Sequence, residues 1–326
     1  MFTMTELEAA AELVHAILPA TPQYNWPLLS ERAGCEVWVK HENHTPIGAF
    51  KIRGGLVFLD ELTKSNSDIA GLITATRGNH GQSIARAGAS FDVPVTIYVP
   101  HGNSAEKNTA MRAFGAELVE FGADFDEARV EADRVAAERG LVFIPSFHPW
   151  LVKGVATYAL EFLTALEDLD TLYAPIGMGS GVCGLITVRD LLGLQTKIVG
   201  VVADNAPAYA LSVDAGAVRE TNSAATFADG MACRVPSAEA LEIISHGADR
   251  IIRVSEDQIA AAMRAYYSDT HNLAEGAGAA PLAGLLSEQT SVRGQKVGVI
   301  LSGGNIDASM FQQVLGGETP KLHPAS

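Results

Sequence analysis

The chain has 326 residues, 48% hydrophobic but only 7% aromatic, with 31 glycines, the profile of an α/β protein with many tight strand-to-helix turns. Its formal charge of −15 excludes the basic footprint that nucleic acid and anionic membrane surfaces require. The three cysteines, Cys35, Cys183 and Cys233, lie far apart, so neither a disulfide framework nor a zinc cluster is expected and all three read as small buried hydrophobes.

In chain order, the opening stretch MFTMTELEAAAELVHAIL carries Glu6, Glu8 and Glu12 and no basic region. It predicts an amphipathic helix turning Leu7, Leu13, Val14 and Ile17 inward, not a secretory signal. Buried strands are predicted at 71–74, 95–99, 117–120, 142–144, 171–176, 198–203 and 297–301. Helices are predicted at 82–89, 105–114, 126–138, 150–166, 182–192 and 256–267, with a short one beginning near Ile306. This alternation indicates right-handed crossovers and a parallel sheet. Three glycine-containing turns, TRGNHG, GMGSG and SGGN, follow strands and precede helices, the place where such sheets bind ligands. No apolar run reaches the length of a membrane span, and a soluble, cytoplasmic protein is expected.

The segment KHENHTPIGAFKIRGG (40–55) puts Lys51 just after a Pro-Ile-Gly turn. A lysine there is ordinarily a solvated surface residue. A Schiff-base lysine instead needs a pKa depressed by desolvation and neighbouring cations, which Phe50 and Arg53 stand close enough in sequence to supply. In TATRGNHGQS (74–83) a strand end leaves N–H groups free at a helix start, ready for a carboxylate, although an ordinary turn with an adaptable Asn79 fits as well. PIGMGSGVCG (175–184) has the make-up of a phosphate cradle. Its Gly179, Gly181 and Gly184, with Asp204 twenty residues later, also match a dinucleotide fingerprint, so these residues alone leave a nicotinamide cofactor open.

Five segments, PIGAFKIRGG, TRGNHGQS, PIGMGSG, FADG (227–230) and LSGGN (301–305), stand in the order found in the threonine dehydratase and serine racemase family, which the chain resembles from about Pro22 to Asp307. Smaller similarities lie at 21–22, 254–259 and 274–279. The resemblance implies pyridoxal 5'-phosphate as cofactor and the tryptophan synthase β-like fold: α/β, two lobes with open twisted sheets. It implies a large cofactor-binding domain from 1–51 and 148–326, a small mobile domain from 52–147, and a homodimer. Carried over residue by residue, Lys51 holds the cofactor and acts as base at Cα, Phe50 packs beside the ring, and Asn79 hydrogen-bonds the phenolic oxygen. Gly177, Met178, Gly179, Ser180 and Gly181 hold the phosphate, Gly230 approaches the cofactor, Glu275 lies beside it and Ser302 faces the pyridine nitrogen. Thr76, Arg77, Gly78, Asn79 and His80 receive the substrate, with Arg77 counted beside Lys51 at the reacting centre. A neutral hydroxyl at Ser302 cannot hold a proton on the nitrogen firmly, which favours prompt loss of a β leaving group. The implied reaction is dehydration and deamination of a small β-hydroxy amino acid (serine, threonine or 3-hydroxyaspartate) to a 2-oxo acid and ammonia. Another lyase reaction or β-replacement on a substituted alanine is the alternative within enzymes; a non-catalytic amino-acid sensor is the alternative outside them.

Four departures from the family bear on substrate and mechanism. Arg77 stands where relatives have alanine or serine and racemases keep a second base; an arginine does not readily shed its proton, so racemisation is not expected. Val202 and Ala208 occupy positions of acidic magnesium ligands, and no metal is expected. GVAT (154–157), after His148 and Pro149, replaces a GQGT run at either the substrate wall or the lobe hinge. The chain ends soon after SGGN, so a regulatory domain and feedback by isoleucine are not expected. His15, His41, His44 and His246 read as surface or helix-end residues, and Arg129 as a partner to an acid on its own helix.

Overall fold

The computed structural model describes residues 1–166 and 168–321. Two open sheets form its frame. The larger runs, edge to edge, through β1 (Gln23–Asn25), β2 (Glu36–His41), β10 (Lys296–Leu301), β7 (Thr171–Pro175), β8 (Lys197–Ala203) and β9 (Arg250–Val254). Only β1 is antiparallel to its neighbour. The smaller sheet runs β5 (Glu117–Glu120), β4 (Val95–Val99), β3 (Leu72–Ala75) and β6 (Val142–Phe143), all parallel. Parallel strands need helices on their faces, so their central members read as unbroken apolar runs. Leu72, Ile97, Leu172, Ile198, Val199, Val297 and Val299 are fully buried, each worth about 1.5–3 kcal/mol of transfer energy.

The α/β class and the strand-helix alternation are as the sequence indicates. Several elements are not. The strands β2 and β9 and the helix Gly276–Ser287 escape a pattern reading. That helix contains Gly276, Gly278, Gly284 and Pro281, which argue against helix by propensity. It forms because burial outweighs propensity: Val201, Tyr173 and Ile252 lie within contact of Gly284, and Gly303 sits against Gly278, where larger side chains would not fit. The last helix starts at Ala308, past Ile306. The N-terminal helix Met4–His15 has a capping box between Thr3 and Glu6 and buries Leu7, Ala10, Ala11 and Val14. Leu13 is half-buried, and Ile17 is exposed because the helix has already ended. His41 is fully buried, accepting a 2.9 Å hydrogen bond from Trp26, and burial first, then His44, pushes its pKa down to about 3; the surface reading is wrong for it. Arg129 does pair within its own helix, 4.0 Å from Asp126, and the three cysteines are buried and free.

Helix Lys51–Ser65 lies between the sheets and packs on both helix Asn79–Ser90 of the smaller unit and helix Pro149–Ala165 of the larger. The GVAT run belongs to this last contact: a Cβ on Gly154 would overlap the carbonyl of Arg53, and Thr157 accepts a 3.1 Å hydrogen bond from the Arg53 guanidinium. It therefore serves helix-helix packing. Among the described residues no helix is long and apolar enough to cross a membrane.

Candidate active site

The three glycine turns converge. Each follows the carboxyl end of a strand: β3 for the Thr76–His80 turn, β7 for the Gly177–Gly181 loop and β10 for Ser302–Asn305. At their meeting point stands Lys51, the first residue of its helix. Its amine donates to Ser180 Oγ at 2.9 Å and lies 4.9 Å from the centre of the Phe50 ring. Its carbonyl accepts a 2.6 Å hydrogen bond from Ser83, so one residue meets the helices that follow both loops. Lys51 keeps some exposure to the cleft, but enclosure by protein pushes its amine down to about 8.

Arg53 does not contribute to that depression. It turns away and is buried in a saturated cluster, bidentate to Glu42 at 2.8 and 3.0 Å and to Glu161 at 2.6 and 3.0 Å. Lys40 joins at 2.5 Å from Glu161. Burial alone would lower the Arg53 pKa, but Glu42 and Glu161 outweigh it and raise it. The two buried cations, Lys40 and Arg53, are thus balanced by buried Glu42 and half-buried Glu161, as burial of charge requires.

The Gly177–Gly181 loop is built from backbone. Among the described residues, the N–H groups of Gly177, Met178, Gly179, Ser180 and Gly181 donate to no other residue, and they lead into helix Ser180–Leu191. Gly179 has φ +96°, open to glycine, and a Cβ on Gly177 would overlap the carbonyl of Gly230. Tyr158 and Tyr209 donate to the carbonyls of Gly181 and Met178 at 3.2 and 2.9 Å. The result is a rigid anion cradle at a helix start, fit for a phosphate group.

The turn after β3 is organised by Thr76, whose hydroxyl accepts from the N–H groups of Gly78 and Gly81 at 3.0 and 3.3 Å. Those of Arg77, Asn79 and His80 donate to no described residue. Asn79 donates to Glu275 at 2.7 Å and accepts from Asn305 at 2.7 Å. His80 is buried with Nε2 unpartnered; burial, then Lys51, lower its pKa to about 3, so it is neutral. Arg77 is half-buried, not buried, and makes no hydrogen bond or ion pair with a described residue.

Opposite this turn, Glu275 is buried with Oε2 unpartnered. Burial raises its pKa to about 7, against the pull of Lys107 and with the push of Asp229. Ser302 is buried, its carbonyl accepting from Phe50 N–H at 3.0 Å, and its hydroxyl makes no hydrogen bond to a described residue. Gly230 faces the cleft, with only Ala277 and Glu275 near the position of a Cβ. A depressed lysine, an anion cradle, a free hydroxyl and an orphaned carboxyl oxygen fit a phosphorylated, electron-poor ring between the sheets. Every sequence-predicted site residue lies in these three turns or on their rim.

Sequence reasoning missed Lys107, Asp229, Asn305 and Tyr158. Lys107 is buried, ion-paired with Asp229, and its stem fills the space beside Gly78. Burial would lower its pKa, but Asp229 and Glu275 raise it. Nothing around Lys107 in the sequence signals this; Asp229 and Asn305 lie inside FADG and LSGGN and were readable from those motifs. Asp204, the dinucleotide candidate, pairs with Arg253 at 3.1 Å on the exposed edge. Val202 and Ala208 are buried apolar residues, and among the described residues no three His, Cys, Asp or Glu side chains cluster as metal ligands.

Comparison with known proteins agrees with the geometry. The profile of a family described as pyridoxal-phosphate dependent enzyme matches residues 17–303. An L-threonine ammonia-lyase of Geobacter sulfurreducens is 36% identical over 287 residues, 88% of this chain and 71% of that one. Another, from Thermotoga maritima, is 31% identical over 316 residues, 97% and 78% of the two chains. The processed form of threonine deaminase isoform 2 from Solanum lycopersicum superposes with a TM-score of 0.88 at 29% identity, covering 97% and 94%.

Proposed function

This chain belongs to the family of pyridoxal-phosphate-dependent enzymes, and we propose that its cleft eliminates water from a small β-hydroxy amino acid, yielding a 2-oxo acid and ammonia. It is an ammonia-lyase of the threonine dehydratase type. The observation that carries the site assignment is the position of Lys51: a depressed amine 2.9 Å from Ser180 at the mouth of an anion cradle.

Lys51 would hold the cofactor through Nζ, residues 177–181 its phosphate through backbone N–H groups, and Ser302 its ring nitrogen. Glu275, Gly230 and Phe50 would enclose the ring, and Asn79 would meet its phenolic oxygen. When bound, pyridoxal phosphate makes the Cα–H bond acidic by drawing its electrons into the ring. The free N–H groups of Arg77, Asn79 and His80 would receive the α-carboxylate. Lys51, with its amine near 8, is matched to take the Cα proton at neutral pH. In the overall reaction the Cβ–O bond breaks, the proton taken from Cα balances the departing hydroxide as water, and the enamine product takes up water to give the 2-oxo acid and ammonia. At Ser302 a hydroxyl supplies no fixed charge to the ring nitrogen, which favours prompt elimination. A guanidinium at position 77 offers no second base for racemisation.

The segment 52–147 acts as a small mobile domain against 1–51 plus 148–326, the protein works as a homodimer, and it is cytoplasmic. Support for the division comes from the smaller sheet, whose strands all lie within 72–143. The test is 2-oxo acid release across serine, threonine and 3-hydroxyaspartate, with borohydride trapping of the cofactor on a Lys51 peptide. A colourless protein that releases no 2-oxo acid from any of them overturns the reading.

A further inference from the structure

We infer that Arg77 is a specificity residue that reads a second carboxylate, carried on Cβ of the substrate. The inference rests on the dehydratase reading and narrows its substrate class to acidic β-hydroxy amino acids such as 3-hydroxyaspartate.

Two observations carry it. The α-carboxylate is already provided for: the N–H groups of Arg77, Asn79 and His80 are free of described partners, and Thr76 holds the turn that presents them. The Arg77 guanidinium is therefore surplus to that task. It also has no hydrogen-bond or ion-pair partner among the described residues, in a chain holding 38 acidic residues against 23 lysines and arginines. The acids around the cleft are engaged: Asp229 with Lys107, Glu275 with Asn79. The buried Arg53, bidentate to both Glu42 and Glu161, shows how this fold treats an arginine that is structural. The planar fork of Arg77 suits a carboxylate bidentately, and half-burial lets water hydrate it until the substrate arrives.

The experiment compares the holoenzyme and its Arg77→Ala and Arg77→Lys variants on 3-hydroxyaspartate, serine and threonine, reading kcat/KM from 2-oxo acid release. It also measures inhibition by succinate, a dicarboxylate with no group to eliminate, against propionate. The wild type is expected to prefer 3-hydroxyaspartate. In Arg77→Ala the ratio of kcat/KM for 3-hydroxyaspartate over serine falls by about 30-fold or more, the loss typical of truncating one side of a close charge pair, and Arg77→Lys recovers part of it. Succinate loses its advantage over propionate in the same variant. Equal losses on serine and 3-hydroxyaspartate, or a succinate affinity that does not depend on Arg77, overturn the inference and leave the dehydratase reading standing. Absence of turnover on all three substrates overturns the dehydratase reading, and the succinate comparison still decides for or against Arg77.

Discussion

The loop after β7 and the turn after β3 are the same device used in two ways. Both follow the carboxyl end of a parallel strand, both open a helix, and both leave N–H groups without described partners. The β7 loop is stripped to Gly177, Gly179 and Gly181 and closed in by backbone, so that even a methyl group at Gly177 has no room. The β3 turn keeps only Gly78, and it carries Arg77, Asn79 and His80 on its rim. A phosphate presents identical oxygens in every turnover and needs only a rigid, electropositive backbone. A substrate has to be told from its relatives, and that requires side chains. The two sites also differ in what surrounds their glycines: Gly230's carbonyl blocks Gly177, whereas only the flexible Lys107 side chain stands beside Gly78, 2.7 Å from the Cβ position.

The strongest way to break this comparison is at the residue that joins the two turns. Lys51→Ala removes the amine that meets Ser180, and turnover is expected to fall by about 10²–10⁴-fold or more, the scale of losing a positioned base, with borohydride no longer trapping cofactor. Full turnover in that variant would remove Lys51 from the chemistry altogether.

Next in size is the rim carboxyl. Glu275 is raised from 4.5 to about 7, so the folded apo-protein holds a proton that the unfolded chain releases. Its contribution to stability is therefore full below pH 4.5 and lost as pH rises through about 7, a change on the order of 3 kcal/mol at 1.36 kcal/mol per unit. His41 and His80, lowered to about 3, act in the opposite direction between pH 3 and 6.5, so the measurement is differential. Denaturation of wild type and Glu275→Gln across pH 4–8 is expected to converge at high pH less closely than at low pH, the variant gaining as pH rises. Parallel profiles would mean that Glu275 is not held protonated.

The glycines test the comparison itself. Gly177→Ala is expected to cost about 1–3 kcal/mol, the range for overpacking a rigid site, and to weaken cofactor binding. Gly78→Ala is expected to cost less, because Lys107 can move aside. Urea melts of both, with and without cofactor, decide; a Gly78→Ala penalty equal to that of Gly177→Ala would show the two turns to be equally rigid. The smallest effect expected is none at all: with apolar Val202 and Ala208 at the ligand positions, exhaustive chelation changes neither turnover nor Tm. Recovery of a lost rate by magnesium would place a cation site elsewhere.

The sequence by itself determined the fold class and marked most of the candidate site, because strand-turn-helix units with buried strands and glycine-rich turns leave a local pattern. Lys51, the 177–181 loop, the Thr76–His80 turn, Glu275 and Ser302 were all legible in short motifs. What the tertiary structure decided are the relations between residues distant along the chain. Adjacency suggested that Arg53 would tune Lys51, but a helix turns residues two apart to different sides, and Arg53 faces Glu42 and Glu161 instead. His41 gave no sign of burial because a short strand at a sheet's interior looks like a loop until its neighbours β1 and β10 are known. Helix Gly276–Ser287 opposes its own propensities, and only contacts with the large sheet and with Gly303 make it a helix. Lys107 meets Asp229 across 122 residues of chain, a pairing that no local pattern encodes, since its energy exists only once both sheets are folded and water has been excluded between them.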